Sequence, residues 1–178
     1  MGSKSKSMID ALGDFQGIER VEKYLNFCAD LYSDPERREW SSAVIPYLTV
    51  VSHSTSPPHP SVTFRFTVQS AHTNGLGNLH GGCTSTLFDI ATTLPLLLIS
   101  KPGYWWHLGV TRTLNVTCLR PVPVGSVVDI ECEILQVGKR LCTLRGVMRS
   151  VVANGGKGPA LTVCEHGKVS TDEPVAQL

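Results

Sequence analysis

The residues most able to do chemistry lie in one stretch. His72-Thr73-Asn74-Gly75-Leu76-Gly77-Asn78-Leu79-His80-Gly81-Gly82 is rich in glycine and asparagine, and it runs into Cys83-Thr84-Ser85-Thr86-Leu87-Phe88-Asp89-Ile90, an apolar run with one acid. A turn that opens a helix leaves the first backbone N–H groups unpaired at the positive end of the helix dipole. Such donors stabilise negative charge developing on a carbonyl oxygen. Glycines at 81 and 82 let a ligand approach the backbone closely, and Asp89 offers a carboxylate that activates water through a hydrogen bond. Any active site is expected here.

Spacing constrains how these groups act. Gly81 and Asp89 are eight residues apart, about 12 Å along a helix axis. One water cannot be held by both within a single chain. If they act on one substrate, donor and base come from different subunits, and dimerisation becomes a catalytic requirement.

Each residue also has a plain structural reading. Gly81-Gly82 serves equally as a tight helix start, and His80 as a packing or supporting residue. Asp89 is costly to bury unpaired in an apolar helix, so pairing with Arg112 or a threonine is its structural alternative. Thr111 is an ordinary strand residue. Cys83 resembles a nucleophile, but the sequence places no histidine beside it.

Around this stretch the chain reads as alternating helix and strand. Ile18, Val21, Leu25, Cys28 and Tyr32 fall at helical spacing with charges of both signs opposite, and Asp34-Pro35 stops the helix. Such a helix packs on the core or on a partner subunit; a basic membrane-surface face is absent. Residues 43–52 read as a strand, and the proline-rich 54–60 segment as a loop. Val62, Phe64, Phe66 and Val68 alternate with polar residues, which predicts a half-buried strand. A helix is predicted over Leu79–Ser100, apolar on every side in its second half and bent or ended at Pro95. With Asp89 and several threonines inside it, the run falls short of a membrane span. Four strands follow, near 107–119, 126–136, 140–152 and 160–170, joined by short turns that favour an antiparallel meander. An antiparallel sheet wrapped around one apolar helix is the economical packing, an α+β architecture.

The totals agree with one domain. The chain has 178 residues, 42% hydrophobic and 17% charged, with net charge +1, which gives no reason to expect nucleic acid. Six cysteines form no C-x-x-C pair and no zinc spacing; with no secretory signal visible, they are expected as reduced thiols. Met1-Gly2 lacks the Ser or Thr of a myristoylation start, Ala176-Gln177-Leu178 lacks the basic residue of a peroxisomal address, and Asn115-Val116-Thr117 is a chance sequon.

The element order, with His80-Gly81-Gly82 heading the central helix and Asp89 within it, resembles the hotdog-fold thioesterases. It is most similar to the PaaI-type group and the small eukaryotic acyl-CoA thioesterases. Asn115-Val116-Thr117-Cys118-Leu119-Arg120-Pro121 also resembles the family strand ending in Tyr-Leu-Arg-Pro, with Cys118 in place of tyrosine, and Gly125 fits the glycine that follows. The likeness spans roughly residues 62–168. It implies an acyl-CoA thioesterase that releases free acid and CoA without metal or cofactor, built as a homodimer or homotetramer.

By position, the resemblance makes Gly81 the N–H donor to the thioester carbonyl, with His80 beside it and Asn74 in the turn. Asp89 becomes general base or nucleophile, with Thr111 steadying the water or the carboxylate. CoA carries phosphates, so Arg120, Lys139, Arg140 and Lys157 are candidate partners, Arg120 foremost, with Gly82 also lining the substrate. Arg112 stands where the family is frequently small or acidic. The expected organisation is an extension over residues 1–42, a hotdog domain over 43–172 and a tail over 173–178. A cytoplasmic location is expected, with mitochondrion or peroxisome left open. Alternative readings are an acyl-carrier-protein thioesterase, a hotdog dehydratase, and a non-catalytic acyl-binding or scaffold protein.

Overall fold

Helix α1 spans Gly17–Ser33 and buries Val21, Leu25, Cys28 and Tyr32, the face that its spacing predicts. Arg20 is buried with them; its guanidinium lies 4.0 Å over the Trp106 ring and donates to Ser100 Oγ at 2.6 Å. The computed structural model describes residues 12–152 and 156–173. Expectations for residues 1–11, for Asn154-Gly155 in the last turn and for 174–178 lie outside the described residues.

The strand expected over residues 43–52 begins later. Two 3-10 turns, Trp40–Ala43 and Ile45–Tyr47, come first, and β1 is Leu48–Ser54. Pro46 explains the difference: it lacks the N–H that a ladder needs, and its fixed φ suits the first turn of a helix. β2 follows at Ser61–Thr67 with Val62, Phe64 and Phe66 inward.

The central segment is an α-helix, α2, over Gly81–Thr93, continued as a 3-10 turn over Leu94–Leu98. Pro95 ends the α-helical bonding, as expected. Leu87, Phe88 and Ala91 of α2 and Leu94, Leu96 and Leu97 beyond it are buried in the core. No helix among the described residues is long and apolar enough to cross a membrane.

Four strands complete the sheet: β3 Val110–Cys118, β4 Val127–Val137, β5 Leu141–Val151 and β6 Lys157–Val169. β3 starts after Gly109, whose φ is +60°; a Cβ there would lie 2.3 Å from the Val169 carbonyl oxygen, so only glycine fits. All pairings are antiparallel, and the six strands lie in the order β1-β2-β4-β5-β6-β3. The meander expectation therefore holds for β4-β5-β6 but fails between β3 and β4. β3 pairs with β6 at the sheet edge, and its connection to β4 crosses the mouth of the sheet. Two prolines in that connection, Pro121 and Pro123, keep it from hairpin pairing. It instead anchors the glycine turn: Leu79 N–H donates to Val122 O at 2.8 Å, and Val124 N–H to Gly77 O at 2.9 Å.

Helix and sheet approach closely at one position. Gly146 of β5 lies under Phe88 and Thr92, and a Cβ there would meet Phe88 ring carbons at 2.6 Å and Thr92 Cγ2 at 2.8 Å. Gly146→Ala must push α2 off the sheet. It is expected to cost about 1–3 kcal/mol of overpacking, read as a lower urea midpoint with unchanged m-value.

Candidate active site

The helix N-terminus is built as a fixed platform. Asn74 Oδ1 accepts from Leu76 N–H at 2.9 Å and Asn78 N–H at 3.3 Å, which closes the turn on itself. His80 N–H donates to His72 O at 2.9 Å. The His80 side chain caps α2, its Nδ1 accepting from Gly82 N–H at 2.9 Å. That bond fixes the neutral tautomer with the proton on Nε2, and it occupies the Gly82 N–H. A Cβ at Gly82 would come within 3.1 Å of His80 Nδ1, whereas one at Gly81 would meet nothing within 4 Å. Gly81 thus faces open space at the helix dipole's positive end, and both glycines are exposed.

Asp89 sits two turns along the same helix with its side chain 44% exposed. Of the two structural partners considered, a threonine is the one found: Thr111 Oγ1 donates to Asp89 Oδ1 at 2.5 Å, the length of a charge-assisted bond. Arg112 is exposed on β3. Behind Thr111 stands His166 of β6, fully buried, with Nε2 2.9 Å from Thr111 Oγ1 and 3.4 Å from Asp89 Oδ1. Its Nδ1 is 2.7 Å from Thr92 Oγ1.

The protons in this cluster can be assigned. Burial first, then Lys168, push the His166 pKa down to about 4, against a smaller upward pull from Asp89, so the imidazole is neutral near pH 7. Thr111 gives its one hydroxyl proton to Asp89. His166 therefore donates Nε2–H to Thr111, while its Nδ1 faces Thr92 Oγ1, whose hydroxyl also donates to Phe88 O at 2.6 Å. The result is one directed chain, His166 to Thr111 to Asp89, which ends on a single carboxylate oxygen.

Lys168 is the next inward residue of β6 and is also buried. Burial lowers its pKa, opposed by the attraction of Asp89. Lys168 and Asp89 line one cleft of roughly 320 Å³ with Tyr24, His107 and Gly109.

The other sequence candidates are spread out. Arg120 lines a groove with Asn74 and Thr84 near the helix N-terminus. Lys139 and Arg140 are exposed in the β4–β5 turn. Arg120 N–H bonds Leu161 O while Arg140 O accepts from Ser170 N–H, so the two arginines lie at opposite ends of β6, about 30 Å apart. Lys157 pairs with Glu131 at 2.7 Å. Cys83 is partly buried, and desolvation raises its pKa, the reverse of nucleophile activation. Among the described residues no cluster of His, Cys, Asp and Glu could hold a metal.

Sequence reasoning missed His166, Lys168 and Thr92. A signal existed in the alternation Thr162, Cys164, His166, Lys168, all buried on one face of β6. That alternation points to a site only once β6 is known to lie beneath Asp89.

The neutral buried imidazole makes a stability prediction. Its native pKa is below the unfolded value near 6.5, so the unfolded state binds the extra proton as pH falls. The stabilisation from keeping His166 neutral is therefore complete above about pH 6.5 and is lost progressively down to about pH 4. His166→Gln should remove this acid sensitivity. The difference between wild-type and variant unfolding free energies should shrink by about 2–3 kcal/mol from pH 7 to pH 4.5, measured by urea titration at each pH.

Comparison with known proteins agrees with this arrangement. The family model of the thioesterase superfamily matches residues 76–151. Acyl-coenzyme A thioesterase 13 of Mus musculus is 38% identical over 74 residues, covering 42% of this chain and 50% of its own length, and the Homo sapiens protein of that name is 36% identical over the same length. The chain spans about half the length of the curated relatives it matches. Zebrafish thioesterase superfamily member 2 superposes with TM-score 0.68 at 24% identity, covering 87% of this chain and 99% of that one. The Mus musculus member 2 gives 0.61 at 25% identity, covering 93% and 98%. The Escherichia coli PaaI protein gives 0.59 at 13% identity, covering 85% and 94%, a likeness of fold. Residues 76–151, which hold the helix N-terminus, Asp89 and Thr111, match the thioesterase superfamily model, and the described chain has the hotdog fold.

Proposed function

We propose that this protein hydrolyses acyl-CoA thioesters to the free acid and CoA. The observation that carries the reading is Asp89: a half-exposed carboxylate on the central helix that lines a cleft and is held through one oxygen by Thr111 and the buried neutral His166. The curated relatives named as acyl-coenzyme A thioesterases support the substrate class.

In this reading the thioester carbonyl lies at the start of α2, its oxygen facing the Gly81 N–H, with the His80 Nε2–H beside it. A water hydrogen-bonded to Asp89 adds to the carbonyl carbon and passes its proton to the carboxylate. Charge that builds on the carbonyl oxygen is met by the helix N-terminus. The C–S bond then breaks and CoA departs as the thiol, taking back one proton. Thr111 and His166 hold Asp89 in place without themselves changing charge. Arg120, beside Asn74, lies where it can attract the CoA phosphates. Asp89→Asn keeps the shape and removes the base. It should lower kcat at least about hundredfold, followed by release of free thiol from a panel of acyl-CoA esters. If the wild type releases no CoA from any of them, or Asp89→Asn is as active as the wild type, the reading fails.

Two features support a shared site between subunits. Gly81 and Asp89 are two helical turns apart on one chain, too far to act on one carbonyl and its attacking water. β3, which carries Thr111, is a sheet edge with most of its side chains exposed, and such an edge invites a second copy to extend the sheet. A complementation experiment tests this. Gly81→Pro removes the N–H donor at a helix position that accepts proline, and Asp89→Asn removes the base. Each variant alone should be nearly inactive. Mixed after dissociation and reassembly, they should recover about a quarter of wild-type activity, because half the dimers then hold one intact site. No recovery from a mixture shown to exchange subunits would place donor and base in one chain.

A further inference from the structure

Lys168 is a buried charge that the hydrolysis of the thioester leaves without a task. It faces inward from β6, two residues beyond His166, and is 5% exposed. In the ladder between β6 and β3 it stands opposite Thr111, the residue that holds Asp89, and directly opposed residues of a sheet share one face. On its other side it pairs with Cys142 of β5. Among the described residues no hydrogen bond or ion pair engages its ammonium. Burial opposes its charge, and the attraction of Asp89 favours it. A buried cation with no counter-ion in contact is costly, and an arriving anion offsets that cost.

Lys168 reaches the cleft of roughly 320 Å³ that Asp89 also lines, and Ile90, Leu94 and Leu108 give that cleft an apolar side. A cation beside an apolar wall suits a small amphiphilic anion. Hydrolysis makes one at this place: a neutral thioester and water become a thiol, a carboxylate and a proton. The new carboxylate forms next to Asp89, and two carboxylates in one cleft repel. Lys168 is placed to offset that repulsion. His107 also lines the cleft but is exposed to water, which screens any charge there. One ammonium matches the single charge of a carboxylate, whereas the phosphates of CoA bring several.

Resting on the thioesterase reading, we infer that the cleft beside Asp89 is a carboxylate-binding site in which Lys168 holds the free acid that hydrolysis releases. Acid that accumulates then competes with the thioester for this cleft, which makes the product an inhibitor of its own formation.

The test titrates the full chain with butyrate against butyramide, and with octanoate against octanamide, pairs that share a shape and differ in charge. Calorimetry should show the wild type binding the acid about tenfold tighter than the amide in at least one pair. Lys168→Met keeps the apolar stem, removes the charge and should abolish that preference, while Lys168→Arg should keep most of it. Lys168→Gln carries the comparison if Lys168→Met does not fold. In the hydrolysis of the matching acyl-CoA, the acid should inhibit the wild type, and its inhibition constant should rise about tenfold in Lys168→Met. The inhibition constant of CoA should not change. A wild type without preference in either pair overturns the inference, as does a Lys168→Met that keeps the preference. A loss of CoA affinity in Lys168→Met also overturns it, because Lys168 would then be a phosphate contact. Binding separates this inference from the activity itself. A preference for the acid that depends on Lys168 supports the carboxylate site whether or not any thioester is hydrolysed. Hydrolysis together with equal binding of acid and amide removes the carboxylate site alone.

Discussion

The hydrogen bond from Thr111 to Asp89 ties the outermost strand of the sheet to the helix that the sheet surrounds. Without it, β3 would be an edge strand held on one side by β6, and Asp89 a carboxylate free to rotate. With it, one oxygen of Asp89 has a fixed position set by the sheet. The buried His166 is neutral and donates its Nε2–H to Thr111, while Thr111 gives its own proton to Asp89. Burial enforces that state, and the nearby Lys168 reinforces it.

The central helix meets two opposed demands. Phe88, Leu87 and Ala91 must be buried to hold the sheet together, while Gly81 and Asp89 must remain open to a ligand. The helix resolves this by facing: one stripe sinks onto Gly146 and its neighbours, and the opposite stripe is left uncovered within the chain. Two turns separate the exposed donor end from the exposed carboxylate. In the shared-site reading, the uncovered stripe and the open edge of β3 are completed together by a second copy of the chain.

The segment before β1 does more than lead into the sheet. Helix α1 contributes Val21, Leu25, Cys28 and Tyr32 to the same core as the strands, and Tyr32 in turn braces the Glu39–Ser41 turn. Through His72 and Thr86 that turn is fixed to the glycine loop and to α2. An N-terminal segment thereby becomes a wall of a groove at the helix start.

By itself the sequence determined the α+β order, the amphipathic face of α1, the alternating core of β2, the end of α2 at Pro95, and the candidacy of Gly81 and Asp89. These follow from local rules: side-chain periodicity, proline's missing N–H and the donors of a helix start act over a few residues. Tertiary structure decided what depends on distant partners. Pro46 turned the start of an expected strand into a 3-10 turn, and β3 joined β6 instead of β4 because its connection crosses the glycine turn. His80 became a helix cap. Arg120 and Arg140 went to opposite ends of one strand. His166 and Lys168, ordinary members of an alternating strand, came to lie beneath Asp89 because β6 packs between β5 and β3. The glycine turn and its helix remain the centre of the protein, yet the carboxylate they carry is held by residues 22 and 77 positions further along the chain, contacts between elements that no local pattern encodes.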